Sequence, residues 1–165
     1  MRSLEQYLEE YGQTHRHPVN LAIHKLCVPL ILFSTVGLLW CLPLGAWLGL
    51  SGSAAFWLNG ATVAVLPVLF FYAALGLRAF LAMLLILAFG LLLSAALAAS
   101  GAPLLGIAAA VWIAAWVAQF IGHRIEGAKP AFLDDLVFLL IGPLFILAQW
   151  LPLAPSPAAS PRSSG

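Results

Sequence analysis

Leu26 to Leu77, LCVPLILFSTVGLLWCLPLGAWLGLSGSAAFWLNGATVAVLPVLFFYAALGL, contains no Asp, Glu, Lys or Arg. After the single Arg78 a second uncharged run extends from Ala79 to Gly122. One membrane crossing needs roughly 20 apolar residues, so each run exceeds a single span. Of the 165 residues, 63% are hydrophobic and 8% charged, whereas an ordinary soluble domain has about 45–50% and about 25%. The composition excludes a soluble globular protein and predicts an all-α integral membrane protein. A net charge of +1 with no basic cluster provides no electrostatic footprint for nucleic acid.

Punctuation divides the uncharged runs. LSGS (Leu50 to Ser53), Gly76 to Arg78 and SGAP (Ser100 to Pro103) break them into four spans, at about 26–49, 54–76, 79–99 and 103–122. Beyond the polar stretch His123 to Asp135, residues 136–153 are just long enough for a fifth, with Gly142-Pro143 in its middle able to kink it or make it re-entrant. Residues 1–153 are thus expected to form a single helical membrane domain of four to five transmembrane helices. Residues 154–165, rich in Pro, Ala and Ser, are expected to be a disordered tail.

Ahead of the spans, Ser3 and Gln6 resemble a capping box, and Leu4, Tyr7, Leu8 and Tyr11 follow i, i+3, i+4, i+7 spacing. This predicts a short amphipathic helix ending near Gly12. Pro18 then suits the first turn of a second helix and holds His17 out of helical geometry. Glu5, Glu9 and Glu10 do not fit a signal peptide, so the N-terminus is expected to be retained. With that terminus in the cytoplasm, Arg2, Arg16, Lys25, Arg78, Arg124 and Lys129 are cytoplasmic and only Arg162 is not, a six-to-one split. Cys27 and Cys41, about 21 Å apart if on one helix, read as small buried hydrophobes rather than a disulfide.

The four histidines fall in two places, His15, His17 and His24 before the first span and His123 after the fourth. Four crossings return the chain to the same face, so all four meet there. A metal site, a proton relay and unrelated interfacial residues each fit such a gathering. Asn20 and His24 share a helical face, and His17 lies two turns before His24; His15 joins them only because Pro18 breaks the helix. Gln119, His123 and Glu126 form a second polar stripe, with Glu126 either a co-ligand or the acceptor that orients an imidazole. Imidazoles with at most one carboxylate and no thiolate suit Fe(II), Zn or Mn, and an open set of this kind activates O2 on non-haem iron. H-E-x-x-H, G-x-S-x-G and phosphate-binding glycine loops are absent, and four histidines are too few for the histidine-rich di-iron hydroxylases.

YGQTHRHPVNLAIHKLCVP (Tyr11 to Pro29), with His15, Asn20 and His24 spaced H-x4-N-x3-H, resembles the first signature of the 2-hydroxy fatty acid dioxygenases of phytosphingosine α-oxidation. QFIGHRIEGAKPA (Gln119 to Ala131), followed by L-x-x-G-P-L-F at Leu139 to Phe145, resembles the second. The resemblance spans nearly the whole chain. It implies a small multi-span enzyme that uses Fe(II) and O2 to shorten a 2-hydroxy fatty acid by one carbon, with release of CO2. By position it implies His15, His24 and His123 as metal ligands and catalytic residues. His17 follows as a lower-ranked ligand, Glu126 as a co-ligand or orienting acceptor, and Asn20 and Gln119 as residues that orient ligands or bind the substrate carboxylate. The substrate can chelate Fe(II) through carboxylate and hydroxyl while its tail lies in an apolar groove among the spans. The alternative is a non-enzymatic membrane protein with a structural haem or zinc site, or a carrier with a histidine proton relay. No sequence feature assigns an oligomeric state.

Overall fold

The computed structural model describes residues 2–153, and the expectation for residues 154–165 lies outside them. Among the described residues there are helices and no strands: α1 (Leu4–Gln13), α2 (Pro18–Trp40), α3 (Leu44–Trp47), α4 (Gly52–Trp57), α5 (Gly60–Leu75), α6 (Leu77–Ala99), α7 (Leu104–Glu126), a 3-10 turn (Ala131–Leu133) and α8 (Phe138–Ala148). Three apolar stretches, Pro18–Trp47, Leu77–Ala99 and Leu104–Glu126, are long enough to cross a membrane, with mean hydropathies of 2.1, 2.7 and 2.1.

The N-terminal boundaries follow from local chemistry. Ser3 and Gln6 form the expected reciprocal capping box, and α1 buries Leu4, Tyr7 and Tyr11. α2 opens on Pro18, with His17 as its extended cap. α2 is the central element and packs on α5, α6, α7 and α8, most extensively on α7. Small residues let the α2 and α7 backbones approach: a methyl group added at Gly37 would sit 3.1 Å from the Ala108 Cβ.

Several boundaries differ from the sequence expectation. The first apolar helix starts at Pro18 as expected, which places His24 inside it ahead of the expected span at about 26–49, and it stops at Trp40 ahead of Pro43. The second expected span is interrupted at Leu58 and Asn59. Asn59 is buried and caps α5 by accepting from Ala61 N and Thr62 N, while Gly60 N donates to Leu42 O at 3.0 Å. Side-chain and loop partners for these backbone groups make the break sustainable among apolar helices. α7 continues to Glu126 and ends where Gly127 turns left-handed at φ +73°.

The stretch 136–153, expected to cross or to be kinked or re-entrant at Gly142-Pro143, holds α8 with Pro143 inside it. α8 has 11 residues, about 16 Å of helix against about 30 Å of hydrocarbon. At its start Asp135 pairs with Arg2 at 3.3 Å and Phe138 meets Tyr7 edge-on at 6.0 Å. After its end Trp150 lies 5.9 Å from Lys25 Nζ, and Pro152 O accepts from Arg78 at 3.0 Å. Both flanks therefore contact residues at the end of the bundle where α2 begins and α6 begins. Tyr72 of α5 fixes α8 there by donating to Leu140 O at 2.8 Å.

Candidate metal centre

The linker between α1 and α2 brings His15 against His24 of α2 and His123 of α7. Ring centroids are 4.3 Å apart for His15 and His24, 5.0 Å for His15 and His123, and 4.8 Å for His24 and His123, with the rings near perpendicular. One nitrogen from each lies within 4.8 Å of the others. His24 has no solvent exposure, and His15 and His123 have 5% each.

The backbone orients two of these rings. Nδ1–H of His15 donates to Tyr11 O at 2.7 Å, and Nδ1–H of His24 donates to Asn20 O at 3.0 Å. A carbonyl only accepts, so both rings carry the proton on Nδ1 and present a bare Nε2. Those Nε2 atoms, and Nδ1 of His123, are buried without a hydrogen-bond partner. A buried polar atom left unpaired costs about 1–3 kcal/mol, and three gathered at one point are the arrangement a metal ion satisfies. Burial holds the His15 imidazole below its usual range against the opposing pull of the Tyr11 carbonyl and of Glu126. It is therefore neutral near pH 7, as ligation requires.

Glu126 and His17 take other positions. Oε1 of Glu126 accepts from Arg16 N at 3.0 Å, and Oε2 accepts from His17 N at 2.8 Å and from the Asn20 amide at 3.1 Å. The carboxylate thus occupies the N-terminus of α2, where backbone N–H groups and the helix dipole favour an anion. His17 caps the same helix, its Nδ1 accepting from Val19 N at 3.2 Å. The structure brings neither into the three-imidazole group, although the helical phase of His17 with His24 favoured it. Pro18 makes His17 the cap residue, and the preceding bend turns His15 inward instead.

Asn20 is fully buried, with its side chain bound to Glu126 and its carbonyl bound to His24. Gly122 makes room for it, since a side chain there would strike the Asn20 Oδ1. Gln119, one turn before His123, is buried and lines a cavity of about 340 Å³ together with His123 and Tyr11. From there the cavity runs between α2 and α7, past Ile31 and Trp116, with Pro143 of α8 on its side. His123 thus belongs both to the imidazole cluster and to the wall of an apolar slot, an arrangement that suits an amphiphile with a chelating head.

Sequence reading did not single out Tyr11, Phe145 or Gly122 as part of this centre. The Tyr11 ring stacks on His15 with centroids 4.1 Å apart and planes 6° off parallel, and Phe145 packs against both rings. Tyr11 stands four residues before His15, a spacing that offers a carbonyl to the imidazole, but its apolar periodicity assigned it to the core.

The family model for the 2-hydroxy-palmitic acid dioxygenase Mpo1-like proteins matches residues 1–152. No curated protein and no solved structure matches the chain. The family match covers the three histidines, their orienting carbonyls and the cavity in one continuous stretch, and the chain belongs to the Mpo1-like family.

Proposed function

We propose that this protein is an iron-dependent dioxygenase that converts a 2-hydroxy fatty acid and O2 into the fatty acid one carbon shorter, CO2 and water. The observation that carries this reading is three buried imidazoles, each with an unpartnered nitrogen, one of which, His123, lines an apolar cavity. The family description supplies the reaction class.

His15, His24 and His123 would hold the ion, and imidazoles without thiolate fit Fe(II). When bound, iron supplies the redox chemistry by which O2 reacts with an organic substrate. The chain supplies the rest. Tyr11 and Asn20 hold two imidazoles in the ligating tautomer through their carbonyls. Glu126 and Asn20 lock the start of α2 to the end of α7, so that His24 and His123 keep their separation. Gln119 presents its amide at the cavity mouth, where it orients the substrate carboxylate. The apolar walls take the alkyl tail and keep water from the reacting carbons. The six-to-one basic split supports a location of this centre on the cytoplasmic face of the membrane.

The test supplies purified, iron-loaded protein with 2-hydroxypalmitate under isotopically labelled O2. Pentadecanoate carrying label is expected; unchanged substrate, or equal turnover of palmitate, overturns the reaction. Metal analysis separates the other classes, since a Soret band indicates haem and an absence of metal indicates a carrier.

A further inference from the structure

His24 and Thr35 are 11 positions apart on α2, and His123 and Trp112 are 11 positions apart on α7. The helices run antiparallel, so both pairs face each other. At one end the imidazoles of His24 and His123 meet, and at the other Trp112 Nε1 donates to Thr35 Oγ1 at 3.2 Å. The cavity occupies the interval, with Thr35 and Trp112 its most distant lining residues from the histidines on their respective helices. Eleven residues of helix rise about 16 Å, close to half of the roughly 30 Å hydrocarbon core, the depth of one leaflet's acyl chain.

We infer that the Trp112–Thr35 bridge is the distal stop of the acyl slot and sets the chain length the protein accepts. This rests on the reading of the cavity as the site of a fatty acyl tail. The bridge joins α2 and α7 across the cavity's far end, and the hydrogen bond holds the indole over it. A tail that just reaches the indole buries every methylene. A longer one must displace the indole or turn out of the slot, and each methylene left without apolar wall forfeits its burial energy. Acceptance then falls by on the order of tenfold for every two carbons beyond the stop. Trp112 is 36% exposed, so truncating it opens the slot outward instead of hollowing a sealed core.

The experiment measures chain-length profiles for wild type, Trp112→Ala, Trp112→Phe and Thr35→Val. Turnover is read with a series from 2-hydroxylaurate to 2-hydroxylignocerate, and thermal stabilisation with the matching unsubstituted fatty acids, which needs no chemistry. Trp112→Ala is expected to move the optimum to acids longer by roughly two to four carbons in both readouts. Trp112→Phe, which retains most of the bulk, stays near the wild-type optimum. Thr35→Val keeps the volume but frees the indole, and broadens the profile towards longer acids; it carries the test if Trp112→Ala does not fold. Profiles of Trp112→Ala and Thr35→Val that match wild type overturn the stop. A stabilisation profile that shifts as stated in a protein that turns over no 2-hydroxy acid supports the stop and overturns the reaction. A wild type stabilised equally by all lengths overturns the stop whatever the reaction.

Discussion

Asn20 and Glu126, 106 residues apart in sequence, are joined by a 3.1 Å hydrogen bond from the Asn20 amide to Oε2 of the carboxylate. The same Asn20 accepts from His24 through its backbone carbonyl. A single buried residue therefore ties the end of α7 to the start of α2 through its side chain and fixes the tautomer of a candidate ligand through its carbonyl. Glu126 is the anchor of this arrangement, with its carboxylate at the helix N-terminus and its hydrogen bonds made to Arg16 N, His17 N and Asn20 rather than to an imidazole.

This separates two roles for Glu126. Glu126→Gln is expected to keep the full metal content while lowering stability by about 1–3 kcal/mol, because charge-assisted bonds to Arg16 N, His17 N and Asn20 weaken. Metal analysis beside thermal unfolding checks it. Loss of metal with unchanged unfolding would instead make Glu126 a ligand.

Among the histidines, His15→Ala, His24→Ala and His123→Ala should each lose most of the bound iron, since one of three donors disappears. His17→Ala should retain it and lose only its cap contact with Val19 N, about 1 kcal/mol. Iron quantified in the four purified proteins decides; wild-type content in all three of the first set would remove the metal centre.

Gly122→Ala tests the close approach of α7 to Asn20. A methyl group there meets the Asn20 amide oxygen, and the displaced side chain releases Glu126. Overpacking of this kind costs about 1–3 kcal/mol, and iron affinity should fall with it although no ligand has changed. Equal unfolding temperatures and equal iron content in variant and wild type would refute the contact.

The pH dependence follows from His15. Burial depresses its pKa in the folded chain, so the unfolded chain, at about 6.5, takes up its proton first. Stability of the metal-free protein is then highest above that value and declines as pH falls below it, and metal retention declines in the same direction because protonated imidazole does not ligate. Thermal unfolding of the metal-free protein from pH 8 to pH 5.5 should show the fall, and a His15→Ala background should reduce it.

The placement of α8 predicts sidedness. Cysteines introduced at Ala128 and at Trp150 should be labelled by an impermeant reagent from the same face, the cytoplasmic one, because both flanks of α8 contact the end where α2 starts. Labelling of the two from opposite faces would show that residues 136–153 cross.

Composition and periodicity alone determined that the chain is helical and apolar enough for membrane, that α1 starts with the Ser3–Gln6 capping box, that α2 starts at Pro18, and that histidines from both ends of the chain belong together. Each of these depends on local residue chemistry or on the parity of long apolar runs, which a sequence displays directly. Tertiary structure decided which histidines meet. His15 points inward and His17 caps a helix because of the bend before Pro18, and a bend defeats any argument from helical phase. It also decided that Glu126 serves the backbone of α2 and that Asn59 interrupts the second apolar run. Residues 136–153 lie at one end of the bundle because Arg2, Tyr72 and Arg78 hold them there. The placements of Glu126 and of residues 136–153 depend on partners more than 60 residues away, and hydropathy carries no record of which polar group a buried backbone or carboxylate will find.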